Sequence, residues 1–133
     1  MKFCKEIELL KKAKTFPKEA LKDEIGFVEY LEECKEKHPK HATHLKKYTN
    51  IDRSYFYQIT SGYRNPGRDK VLQIALGLEL DTEETNTLLA LSQNAMLLPR
   101  IPKDAVLIFA LEHHYSLEQT NNLLNELGLE IVQ

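Results

Sequence analysis

The chain has 133 residues, 42% of them hydrophobic, with only five glycines and five prolines; this suits one modest core rich in helix-forming residues and is too apolar for a disordered chain. The net charge of −2 is unevenly spread. Residues 37–70 carry eight Lys/Arg against two acids (+6), residues 71–133 two against nine (−7) and residues 1–36 eight against nine (−1). No apolar run approaches a membrane span, charges interrupt the N-terminus from Lys2 onward, and Cys4 and Cys34 give no disulfide framework. A non-membrane, reducing, cytoplasmic setting is therefore expected.

In chain order, Phe3, Ile7, Leu10 and Ala13 predict a short amphipathic helix over 3–14, which Thr15-Phe16-Pro17 breaks. Residues 18–23 are a charged connection or a short helical turn. From Asp23 to Lys37, Phe27, Tyr30, Leu31 and Cys34 form one stripe of a surface helix, and His38-Pro39 ends it. A short helix over 41–48 turns Ala42 and Leu45 inward. In the turn Thr49-Asn50-Ile51-Asp52, Asn50 tolerates a left-handed conformation and Asp52 suits the N-cap of the next helix. That helix runs from Arg53 to about Ser61, with Phe56 and Ile59 inward and Gly62 as its stop. Residues 63–67 are a loop by composition.

The remainder repeats itself at a shift of 35 residues: Asp69/Asp104, Val71/Val106, Leu72/Leu107, Ala75/Ala110, Leu76/Leu111, Glu83/Glu118, Thr85/Thr120, Asn86/Asn121, Leu88/Leu123 and Leu89/Leu124. Each unit reads as a helical hairpin. Ser116 with Gln119 fits a capping box, Asp81 with Glu84 resembles one, and Pro99 and Pro102 bracket the join. The expected organisation is an N-terminal helical segment (1–22), a helix-turn-helix unit (23–80) and a helical extension (81–133).

The basic island is the electrostatic footprint of a polyanion binder, although a solvated charged face explains the count equally well. Within it, residues 41–66 hold a short helix, a turn and a second helix that starts basic and polar. Leu45, Ile51, Phe56 and Ile59 are spaced to lock such a pair together. A helix-turn-helix lays its second helix in the major groove of double-stranded DNA. Its exposed residues here are Arg53, Ser54, Tyr55, Tyr57 and Gln58. Arg pairs with guanine and Gln with adenine in bidentate fashion, while hydroxyls serve bases or phosphates. Arg53, Ser54, Tyr55 and Gln58 are thus the candidate base readers. Lys46, Lys47, Tyr57, Arg64, Asn65 and Arg68 are the candidate backbone contacts.

The run Leu45…Asn50-Ile51-Asp52-Arg53-Ser54-Tyr55-Phe56-Tyr57-Gln58-Ile59…Gly62…Arg64-Asn65-Pro66 resembles the Cro/repressor-type (XRE-family) helix-turn-helix over about residues 24–78. The ending Gly62-Tyr63-Arg64-Asn65-Pro66 is its most specific part. The chain departs from the family at Lys46 (a small alanine there), Asn50 (the turn glycine), Tyr57 (often serine) and Thr60 (often an acid). The resemblance implies an all-α, lambda-repressor-like bundle and a bacterial transcriptional regulator. It also implies a homodimer, with the C-terminal repeat as the dimer or protein-partner surface.

Pro39 interrupts any continuous helix through Cys34, His38, His41 and His44, and no second cysteine pair completes a four-ligand set, so no metal or cofactor is expected and the histidines are placed on the DNA-facing rim. No nucleophile–base set, phosphate-binding glycine loop or carboxylate pair marks an enzyme. The second reading is an adaptor or antitoxin-like module whose helix binds protein through Tyr55 and Tyr57.

Overall fold

The computed structural model describes residues 4–17, 25–42, 49 and 51–133, with no strand among them. The helices are α1 (Cys4–Lys12), α2 (Phe27–Lys37), α3 (Pro39–Ala42), α4 (Arg53–Thr60), α5 (Arg68–Leu78), α6 (Thr82–Leu91), α7 (Pro102–Glu112) and α8 (Leu117–Glu126). The architecture is all-α. Leu45, Lys46, Lys47, His44 and Asn50, on which much of the expected helix pair depends, lie outside the described residues, as does the segment 18–24.

The 35-residue repeat governs the C-terminal half. α5 and α7 each end in a left-handed residue, Glu79 at φ 56° and His114 at φ 57°. There the Leu80 and Tyr115 amides bond back to the Ala75 and Ala110 carbonyls. Both capping boxes form: Asp81 with Glu84 opens α6 and Ser116 with Gln119 opens α8. Thr85 and Thr120 turn their hydroxyls onto the carbonyls of those same N-caps, at 2.8 and 2.7 Å. α6 and α8 also stop alike, with Gln93 and Gly128 at positive φ.

The repeat reaches beyond the second helix of each unit. Asn86 Oδ1 accepts the Leu97 amide at 2.7 Å, and Asn121 Oδ1 accepts the Val132 amide at 2.8 Å. Leu97 and Val132 are thereby buried at equivalent places. Each tail then crosses to the other unit. The Leu98 amide donates to Asp104 Oδ2 at 3.1 Å, and the Gln133 amide donates to Asp69 Oδ2 at 3.0 Å. The two hairpins therefore close on one another about a pseudo-two-fold axis instead of extending as an open solenoid.

The N-terminal half covers the first hairpin. α2 packs on α6: the Tyr30 hydroxyl bonds to the Thr87 side chain, and His38 Nε2 lies 3.5 Å from Glu84 Oε2. Pro39 opens α3 and does not merely end α2, because its missing N–H falls where a helix start has no acceptor. Phe27, Tyr30, Leu31 and Cys34 of α2, Phe56 and Ile59 of α4, and the inner faces of α5 to α8 share one core. α5 is both the last helix of the segment read as 23–80 and the first helix of the repeat. α1 differs from the other long helices: its apolar residues Ile7, Leu9 and Leu10 are all exposed.

Candidate nucleic-acid interface

α4 is fixed at both ends by local chemistry. Asp52 Oδ2 accepts the Ser54 and Tyr55 amides at 3.1 and 3.3 Å, capping the N-terminus. Gly62, at φ 84°, takes the left-handed turn that a side chain would resist, and the Arg64 amide then returns to the Gln58 carbonyl at 3.0 Å. The loop is thus folded back along α4. Phe56 and Ile59 anchor the helix in the core while Arg53, Ser54 and Tyr57 face outward and Gln58 is half-buried.

Ser54, Tyr57, Gln58, Tyr63 and Arg64 line one shallow open groove. None of these five is acidic, and together they offer a guanidinium fork, an amide and three hydroxyls. Arg53 stands exposed on the first turn of the same helix. Tyr63, at 87% exposure, is not among the contacts expected from the sequence, although it lies in the run Gly62-Tyr63-Arg64-Asn65-Pro66. Its place immediately before Arg64, one residue after the helix-stopping glycine, was the available signal.

Tyr55 is not free in the way Tyr57 is. Its ring is half-buried against the core, with the Arg64 guanidinium 5.0 Å and the Lys70 ammonium 5.9 Å from the ring centre. It serves as a platform that holds Arg64 by a cation–π contact. Lys70, one of the bases of the island but not among the expected contacts, enters the site through this ring.

Asn65 and Arg68, expected at a phosphate backbone, instead turn toward the connection between the hairpins. Asn65 Nδ2 donates to the Ser92 carbonyl at 2.7 Å. Arg68 Nε donates to the Ala95 carbonyl at 2.9 Å, and its Nη2 reaches the Met96 carbonyl at 3.3 Å and Asp104 Oδ2 at 3.0 Å. These amide and guanidinium donors satisfy carbonyls of the irregular segment that joins the hairpins. Asn94 reinforces the joint by donating to the Pro66 carbonyl at 3.0 Å. The basic island therefore divides: Arg53, Arg64 and Lys70 stay at the groove, while Arg68 neutralises a buried carboxylate.

The described histidines of the island also depart from the DNA-facing rim assigned to them. His38 meets Glu84 and His41 meets Glu79, both carboxylates of the first hairpin. The reason is charge: the nearest surface of that hairpin is acidic, so imidazole donors find partners there. Among the described residues no three His, Cys, Asp or Glu side chains converge as a metal site. No helix among them is long and apolar enough to cross a membrane.

Comparison of the chain with protein-family models, with curated proteins and with solved structures finds no match.

Proposed function

We propose that the chain is a sequence-specific DNA-binding regulator that lays α4 in the major groove. The observation that carries this reading is the groove itself. Side chains suited to base edges and phosphates share one face made by a capped helix and the loop after it, and no carboxylate of the described residues lines it. Arg53 and Gln58 are the base readers, with Ser54 beside them. Tyr57, Tyr63 and Arg64 hold the phosphate backbone, and Tyr55 positions Arg64. Asn65 and Arg68 act indirectly, by fixing the loop to the hairpins. A helix of eight residues covers little DNA, so two copies on a palindrome, with half-sites roughly 34 Å apart, are the means to useful affinity.

The test is selection from a random duplex pool, run beside the Arg53→Ala/Gln58→Ala double variant. Enrichment of a palindromic motif that the variant loses supports the reading. Absence of any binding at low salt refutes it. A second reading, a protein-binding face, is favoured by the exposure of Tyr57 and Tyr63, since tyrosines are enriched at protein interfaces. Salt separates the two. Phosphate contacts make log affinity fall linearly with log salt, whereas a tyrosine-anchored interface responds weakly.

A further inference from the structure

The two hairpins are equivalent in backbone but not in what covers them. The positions that close the pair are buried in both: Leu72 and Leu107, Ala75 and Ala110, Leu89 and Leu124, Leu97 and Val132. The outer face is not. Ile74 is fully buried while its counterpart Phe109 is 46% exposed. Ser92 is buried while Leu127 is 57% exposed. Val71, Leu78 and Leu88 are buried, whereas Val106, His113 and Leu123 are exposed or half-exposed. The pair interface is pseudo-symmetric, so the difference comes from the N-terminal half, whose α2 packs on α6. The second hairpin presents the same kind of face, and among the described residues no helix covers it. Phe109 stands at its centre, with His113 stacked at 4.2 Å and Tyr115 edge-on at 5.6 Å.

On the first hairpin such a face receives an amphipathic helix. Among the described residues, α1 is an amphipathic helix whose apolar side is uncovered. α1 exposes Ile7 at 45% and Leu10 at 46%, and residues 4–17 carry four lysines against two glutamates. Residues 103–133 carry one lysine against five acids; Asp104 is buried against Arg68, which leaves Glu112, Glu118, Glu126 and Glu130 exposed, with Glu112 also accepting the Thr82 amide at 3.3 Å and Glu126 next to Leu127. The charges are complementary, and the lengths also agree. Nine residues of α1 span ~14 Å and eleven of α7 span ~16 Å. Within one chain Ile7 and Leu10 of α1 and Phe109 and Leu127 of this face are all exposed.

We infer that the second hairpin is the docking site for α1 of a second copy of this chain, exchanged reciprocally to make a two-fold dimer. Ile7 and Leu10 cover Phe109 and Leu127, and the lysines of α1 face Glu112 and Glu126. The assignment rests on burial, charge and internal symmetry, not on the DNA-binding reading, and its test uses no DNA. A photo-crosslinking phenylalanine analogue is placed at position 109, and isotopically labelled and unlabelled chains are mixed. The expected result is a dimer in sedimentation velocity, with crosslinks joining position 109 of one chain to residues 4–12 of the other. Phe109→Glu and, separately, Leu10→Glu weaken the dimer by roughly tenfold or more, since each removes the burial of one large apolar side chain, with helicity unchanged. Both side chains are exposed in the single chain, so folding is spared. Crosslinks confined to one chain, crosslinks to another segment, or a monomer at every concentration would overturn it.

Discussion

Asp69 and Asp104 occupy the same position of the repeat, and the structure assigns them different energies. Asp104 is 2% exposed; it accepts the Leu98 amide and pairs with Arg68 Nη2. Asp104→Ala leaves a part-buried amide and a largely buried guanidinium without that partner. Breaking a fully buried pair costs about 3–5 kcal/mol. The Arg68 side chain is 27% exposed and keeps its bonds to the Ala95 and Met96 carbonyls, which lowers the expectation to about 2–3 kcal/mol. Asp69→Ala loses one exposed bond, to the Gln133 amide, at a cost below about 1 kcal/mol. Both sites sit in the first turn of a helix, so the dipole contribution is alike and cancels in the comparison. In thermal unfolding Asp104→Ala lowers the midpoint by roughly 5–12 °C and Asp69→Ala by no more than roughly 4 °C. Equal effects, or a larger one at Asp69, would refute the asymmetry between the hairpins.

Three further outcomes follow from named contacts. Asp52→Ala removes the cap on α4 and lowers stability by about 1 kcal/mol in denaturant unfolding, while Asp52→Asn retains most of it. Burial pushes the Tyr30 phenol well above its ordinary value, aided by the charges of Cys34, Glu84 and Asp81 against the hydrogen bond to Thr87. A raised folded value means stability is fully present below the unfolded phenol value of about 10 and is lost as pH rises through the folded one. Denaturant titrations above pH ~10 should therefore fall more steeply for the wild type than for Tyr30→Phe. Arg64→Ala should weaken DNA binding about equally across sequences and reduce the slope of log affinity against log salt by about one, read by fluorescence anisotropy. An unchanged slope would remove Arg64 from the backbone contacts.

The all-helical class, the positions of α2, α4 and the four repeat helices, and both capping boxes were legible because each rests on local chemistry. A stripe at helical spacing, an Asp or Ser three residues before Glu or Gln, and a glycine at a left-handed stop act within one or two turns of chain. The outward side of α4, with Arg53, Ser54 and Tyr57 exposed and Gln58 half-buried, was legible for the same reason: Phe56 and Ile59 fix which side of α4 points inward. Asn65, Arg68 and the histidines were not. Their side chains are long or flexible enough to choose between solvent and a partner, and the partners lie far away in sequence, from Ser92 to Asp104 and at Glu79 and Glu84.

The 35-residue period itself was plain in the sequence, and with it the duplicate hairpins. What only the tertiary structure decided was how the duplicates meet: each tail crosses to the other's aspartate, which closes the pair. It also decided that α2 covers one hairpin and leaves Phe109 and Leu127 of the other exposed. Identical local sequence can specify identical helices, because helix formation is settled by near neighbours. Burial is settled by whatever packs from elsewhere in the chain, and no local period carries that information.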